Sequence, residues 1–228
     1  MSEEHETALR GNEPSSTRLV ATLGLAGLLS GLIIVSVFEA TLPTITAYKA
    51  KVLREAVFEV LPDISRMRRL AYLDGRLTAK EQEEKDEQAV FGGYDADGRL
   101  MGYAIPSAGP GFQDTIRLLY GYLPAERKVV GMEILESRET PGLGDKIYKD
   151  AAFVANFGDL SIDPEIVSVK KGTKTAPNQV DAITGATISS KAVVRIINEG
   201  NRRWLERLPG PNEAPAFEVQ KEQKGRKR

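Results

Sequence analysis

Two segments of this 228-residue chain combine glycine with hydroxyl or carboxylate side chains at a spacing that can hold a ligand. Asp181-Ala-Ile-Thr-Gly-Ala-Thr-Ile-Ser-Ser190 is a polar turn around Gly185 and Ala186 that runs into a helical segment. A helix N-terminus leaves backbone N–H groups free and carries the positive end of the helix dipole, so such a turn suits a phosphate, with Thr184, Thr187, Ser189 and Ser190 adding hydroxyls. The same residues also read as plain capping, with Thr187 or Ser189 as the cap and Asp181 in an Asx-type turn. The segment is neither a P-loop, because the Gly-Lys-Ser/Thr end is missing, nor a Rossmann fingerprint, because the three-glycine spacing is absent. The second segment is Glu139-Thr-Pro-Gly-Leu-Gly-Asp-Lys146. Pro141 fixes one backbone angle, while Gly142 and Gly144 open conformations closed to other residues. Such a loop can press its backbone against a flat ligand, with Glu139 and Thr140 offering a carboxylate and a hydroxyl. From the residues alone the plainer reading, a turn and a helix start, is the favoured one.

Composition narrows the chemistry further. With no cysteine and one histidine, His5, the chain has no disulfide framework, Cys-rich zinc site, iron–sulfur cluster or thioether-linked haem. Cys and His nucleophiles are excluded as well. A net charge of -1 from 31 basic and 32 acidic groups offers no field that would track a phosphate backbone, so nucleic acid is not an expected partner. Redox or group-transfer chemistry must come from an organic cofactor.

The elements that position the two loops follow from patterning. Leu19 to Phe38 carries no ionisable group and, at 1.5 Å per residue, spans roughly 30 Å, the thickness of one hydrocarbon core. Glu3, Glu4 and Glu6 precede it and Phe38 sits three before the cut implied by Ala40, which argues against a cleaved signal peptide. Residues 1–18 are expected to be cytoplasmic. Arg10 and Arg18 precede the span and Lys49, Lys51 and Arg54 follow it, so charge counting does not decide orientation, although Arg18 and Glu39 lean toward an inside N-terminus. Gly27 and Gly31 suit close approach by another membrane helix. Over residues 39–62, Tyr48, Val52, Ala56 and Val60 recur every fourth residue until Pro62, as in a juxtamembrane amphipathic helix. Thr78 to Glu87 reads as loop. Two hairpins follow, strands 88–94 and 99–105 joined at Asp95 to Gly98, and strands 115–122 and 129–135 joined at Pro124 to Arg127. Asp145 to Asn156 reads as helix and Ile166 to Lys170 as strand. Ser189 to Asn198 reads as a helix that Gly200 ends. The fold class is α+β: a single N-terminal transmembrane helix, then a domain over 63–208 with an antiparallel sheet packed on helices. Residues 209–228, rich in proline and basic at the end, read as a disordered tail.

Asp181-Ala-Ile-Thr-Gly-Ala-Thr187 matches the D-x-x-(S/T)-G-A-(S/T) flavinylation motif of FMN-binding domains, and residues 139–144 match their second hallmark. The chain resembles most closely the G-subunit family of Rnf ion-translocating electron transport complexes, over the anchor and roughly Val52 to Gly200. Gly111-Phe112 ahead of Ile116, the run Glu139 to Ile147, Val169-Lys-Lys171 and Asp181 to Val194 carry the resemblance. The C subunit of the sodium-pumping NADH:quinone oxidoreductase shares both hallmarks. Ser137-Arg138 stands where a histidine-containing pair is expected, and Gln113-Asp114-Thr115 replaces a more glycine-like stretch.

The resemblance implies FMN joined through a phosphoester to Thr187 by a separate flavin transferase that uses FAD. Asp181 would hold the turn or serve transferase recognition. The phosphate would lie over the amides of Ile188, Ser189 and Ser190. Glu139 and Thr140 would hydrogen-bond the flavin's pyrimidine edge while Pro141 and Leu143 pack on its face. It also implies partner membrane proteins in a multisubunit complex, electron flow between ferredoxin and NAD coupled to ion movement, and a flavin domain on the periplasmic face of the bacterial inner membrane. No residue serves as general acid or base on this reading. The alternatives are the sodium-pump homologue, a membrane-anchored FMN sensor or regulator, and a structural partner protein without flavin.

Overall fold

The computed structural model describes residues 15–73, 75–79 and 89–209. The chain divides into two units, residues 1–51 and 52–228. The expected cytoplasmic segment, apart from its last four residues, lies outside the described residues, as do the tail from residue 210 and most of the expected polar loop.

Helix α1, Ser16–Val60, is 45 residues long and contains Pro43. The membrane span and the amphipathic stretch, expected as separate elements, are one continuous helix here. An 18-residue window of it has a mean hydropathy of 2.3 and none of it buried, as a lipid-facing span requires. Thr22 and Thr41 lie at the two ends of the apolar run and donate their hydroxyls to the carbonyls of Arg18 and Val37, which satisfies them within the helix. The helix ends at Val60, two residues before Pro62, whose ring disfavours helical geometry in the residue ahead of it.

The second unit is built on a seven-stranded antiparallel sheet in the order β2-β1-β3-β4-β5-β6-β7. Its strands are β1 Arg66–Leu73, β2 Arg76–Ala79, β3 Ala89–Tyr94, β4 Leu100–Pro110, β5 Thr115–Leu123, β6 Lys128–Glu136 and β7 Leu160–Ser161. Both expected hairpins are present. In the first, Gly98 has φ +81° and the Asp95 carboxylate accepts from Arg99 N at 2.8 Å. Strands β1 and β2 were not expected, and Thr78 and Ala79 belong to β2 rather than to a loop. A separate parallel pair joins β8, Val167–Val169, to β9, Gln179–Asp181.

Alternate residues of the sheet feed two cores, because successive side chains of a strand point to opposite faces. Tyr103, Ile105, Leu118 and Tyr120 face α4, Thr187–Trp204, whose Val193, Ile196, Ile197 and Trp204 close the larger core. Phe91, Ala104 and Leu119 face the other way, against Ala56, Val57 and Val60 at the end of α1 and Leu61 beyond it. Four glycines make room there. A Cβ on Gly93 would stand 2.8 Å from Leu61 and Ile64 side-chain atoms, and one on Gly131 would stand 2.7 Å from the Val60 Cα. One on Gly102 would stand 3.0 Å from Leu61, and one on Gly121 would run into the Val60 carbonyl.

Two expectations need correction. Residues 145–156 form two one-turn helices, α2 Lys146–Lys149 and α3 Ala151–Val154, followed by a 3₁₀ turn, Ala155–Phe157. Asp150 breaks the run by taking extended backbone and accepting from Ala152 N and Phe153 N, which restarts the helix as a cap. Helix α4 does not end at Gly200 but continues to Trp204. Gly200 is a packing glycine: a Cβ there would stand 2.5 Å from the Ser107 hydroxyl and 2.6 Å from that of Tyr120.

Candidate functional site

The 181–190 segment leaves β9 at Asp181, turns at Gly185 with φ +84°, and enters α4 at Thr187. Asp181 makes no Asx turn of its own. Its Oδ1 accepts from Gly172 N at 3.0 Å, so it holds the loop that connects β8 to β9, and its own N–H donates to Asn156 Oδ1 at 3.2 Å. With Asp150, Asn156 and Lys171 it borders an open depression.

Neither Thr187 nor Ser189 caps α4. The cap residue is Ala186, which has no side chain able to bond to the free amides ahead of it. The first helical bond runs from Ser190 N to Ala186 O, so the N–H groups of Thr187, Ile188 and Ser189 lie ahead of the ladder. The four hydroxyls of the segment divide into two pairs. Ser190 is fully buried, donates to Ala186 O at 2.9 Å and accepts from Ile183 N at 3.0 Å. Ser189 is buried and donates to Glu139 Oε2 at 2.5 Å. Thr184 and Thr187 are exposed, and Thr187 is the one that opens the helix.

The 139–144 loop is fastened to that helix from the other side. Glu139 is only 5 % exposed, and its Oε1 accepts from Phe112 N at 2.9 Å and Gln113 N at 3.0 Å. One carboxylate thus ties together the loop after β4, the loop after β6 and the first turn of α4. Gly111 and Gly144 flank it so closely that a Cβ at either position would strike the carboxylate. Burial alone would raise the Glu139 pKa, but the hydrogen bonds from Ser189 and from the backbone of Gln113, Phe112 and Asp114 outweigh it and lower it. Thr140 donates its hydroxyl to Gln113 Oε1 at 2.8 Å. Gly142 has φ +78°, and Pro141, Gly142 and Leu143 are exposed.

The unusual residues of the two loops are partners of one another. Arg138 Nη1 lies 3.7 Å from Asp114 Oδ2, Gln113 holds Thr140, and Ser137 Oγ accepts from Glu139 N at 3.2 Å. Sequence reading singled out these positions but not their pairing, because 24 residues separate Asp114 from Arg138.

Each segment that the clasp joins also exposes an apolar side chain. Phe112, Leu143 and Ile188 are 64 %, 51 % and 59 % exposed, and each belongs to one of the three segments that Glu139 joins. A flavin nucleotide needs an anchor for its phosphate and an apolar bed for its ring. The uncapped amides beside the Thr187 hydroxyl have the chemistry of the first, and these three side chains that of the second. Among the described residues no cluster of His, Asp and Glu could hold a metal ion.

The FMN-binding domain family matches residues 111–201, which contain both loops and most of α4. The G subunit of the ion-translocating oxidoreductase complex of Haemophilus influenzae is 30% identical over 87% of this chain and 97% of its own length. The G subunit of the proton-translocating ferredoxin:NAD(+) oxidoreductase complex of Clostridium ljungdahlii is 28% identical over 79% of this chain and 87% of its own. Among solved structures, Shewanella oneidensis NqrC superposes with a TM-score of 0.54 at 18% identity, covering 71% of this chain and 98% of its own, and so shares the fold.

Proposed function

The chain belongs to the G-subunit family of Rnf-type ion-translocating oxidoreductase complexes, and from that membership we propose that it relays electrons through FMN esterified to Thr187. It is a membrane-anchored component with an FMN-binding domain. The electrons pass between reduced ferredoxin and NAD, and the complex couples that flow to ion movement. The flavin supplies the electron chemistry when bound, and the chain's residues hold, orient and insulate it.

The observation that supports Thr187 as the attachment point is the division of hydroxyls. Ser189 and Ser190 are buried with their protons committed, whereas Thr187 is exposed at an uncapped helix start. The three amides ahead of the helical ladder would meet the phosphate oxygens, and the dipole of an 18-residue helix favours the negative charge. Leu143 and Ile188, with Phe112 and Pro141, would cover the ring. Thr140, whose hydroxyl donates to Gln113 Oε1, would meet a polar edge of the ring as an acceptor. Asp181 accepts from Gly172 N and so holds the loop between β8 and β9, which supports the holding role over transferase recognition. Attachment by a separate flavin transferase fits a domain on the periplasmic face of the inner membrane, where a lost nucleotide could not be recaptured.

The test is expression of the full chain with and without a flavin transferase. An ultraviolet-fluorescent band on a denaturing gel is expected only with the transferase, on the peptide that contains Thr187, and Thr187→Val is expected to abolish it. A band that survives Thr187→Val would place the bond elsewhere. In the purified complex the flavin is expected to be reduced by the other subunits within a turnover. A flavin they cannot reduce would support the sensor reading instead.

A further inference from the structure

Ser189 and Glu139 are 50 residues apart in sequence, yet the short contact between them joins two loops that pattern reading treats as separate. The contact has a defined direction. A hydroxyl has one proton, and Ser189 gives it to Glu139 Oε2, while Oε1 takes the N–H groups of Phe112 and Gln113. Gly111 and Gly144 lie on the carboxylate so closely that no larger residue fits at either place, so the geometry is enforced from both sides.

We propose that Glu139 is a positioning residue for covalent flavin attachment: by holding Ser189 inward it sets the first turn of α4 so that Thr187 is the hydroxyl presented. The inference rests on the reading that Thr187 receives FMN. In that step Thr187 Oγ forms a bond to the FMN-side phosphorus of FAD, the bond between that phosphorus and the bridging oxygen breaks, AMP leaves with its electron pair, and the hydroxyl proton passes to a base of the transferase. The acceptor oxygen must lie in line with the breaking bond, and a displacement of about 1 Å can cost on the order of a hundredfold in rate. The Ser189 to Glu139 bond is two residues from that oxygen and fixes the turn that carries it. It also keeps Ser189, a hydroxyl of similar reactivity, out of reach.

The experiment measures flavin incorporation from FAD by a purified transferase into the full-length protein in detergent. The wild type, Glu139→Gln, Ser189→Ala and the double variant are compared below their melting temperatures, with mass spectrometry locating the flavin. Each single variant is expected to lower kcat for loading about tenfold or more with the KM for the acceptor protein little changed, because the recognised surface remains while the acceptor oxygen is displaced. The double variant is expected to be no slower than the slower single, since both substitutions remove one shared bond. Unchanged kcat, a rise in KM alone, or additive losses would overturn the positioning role. Wild-type protein that is not labelled at Thr187 would instead overturn the attachment site.

Discussion

Burial by itself would raise the pKa of Glu139, yet the hydrogen bonds it receives hold the carboxyl below the usual carboxylate range. The folded state therefore favours the ionised form more than the unfolded chain does. Its stabilising contribution is fully present above the unfolded pKa and is lost as pH falls through the lowered folded value. Glu139→Gln keeps the size but turns an amide N–H toward groups that are themselves donors. Leaving buried donors unmet costs about 1–3 kcal/mol. At neutral pH the variant is expected to be less stable than the wild type by that amount in the free energy of unfolding, and the gap is expected to close as the pH is lowered through about 4 and below, where wild-type Glu139 also becomes protonated. Asp145 and Asp163 have lowered pKa values too, through their bonds to Lys149 and Arg127, so both proteins lose stability in acid. The difference between the two curves isolates Glu139, and a gap that stays constant from neutral pH to pH 3 would remove it as the titrating group.

Elements were legible where local chemistry decides them. Asp95 to Gly98 announces its hairpin because only a short list of residues accepts that backbone, and the uncharged run of α1 announces a span. Strands β1 and β2 stayed hidden because Arg66, Arg68 and Arg69 crowd the first while Leu70 and Ala71 are buried side by side, which erases the alternation that marks a strand. The fusion of the span with the amphipathic stretch was hidden by the change in composition after Phe38, where charge returns at Glu39 while the helix runs on to Val60. Both loops of the candidate site could be found from their glycines, and Glu139 and Ser189 within them, but not the bond that joins the two, since a contact between residues 139 and 189 leaves no local signature. Gly200 was misread because a terminating glycine and a packing glycine look alike in sequence. One substitution tests the packing role: at a helix-interior position with free space, Gly200→Ala would gain about 1 kcal/mol of helix propensity. Against Ser107 and Tyr120, 2.5 and 2.6 Å from the new Cβ, the substitution is instead expected to destabilise by about 1–3 kcal/mol. A thermal melt that rises on this substitution would refute the packing role.

For the molecule as a whole, the near-zero net charge averages an uncharged span with a mixed-charge domain and a basic terminus, so it describes none of them. The scarcity of reactive side chains is intelligible for a carrier whose one required nucleophile is the Thr187 hydroxyl, used once. Where the domain begins is a sharper matter, because composition places the boundary near Pro62 whereas the contacts place it at Val52. Val57, Val60 and Leu61 are at most 1% exposed, and they cover Phe91, Ala104 and Leu119 on the face of the sheet turned away from α4. Burying three such side chains contributes roughly 5–9 kcal/mol, which is comparable to the roughly 5–15 kcal/mol that separates a folded domain from its unfolded chain. A fragment of residues 52–228 is therefore expected to fold without the span and melt cooperatively. A fragment of residues 64–228 should expose the apolar face of the sheet and the glycines Gly93, Gly102, Gly121 and Gly131, and should aggregate or melt without a transition. Circular dichroism melts of the two fragments decide it. Equal melting temperatures would show that the end of α1 adds nothing to the domain, whereas a transition confined to the longer fragment would make residues 52–61 part of the fold that carries the flavin site.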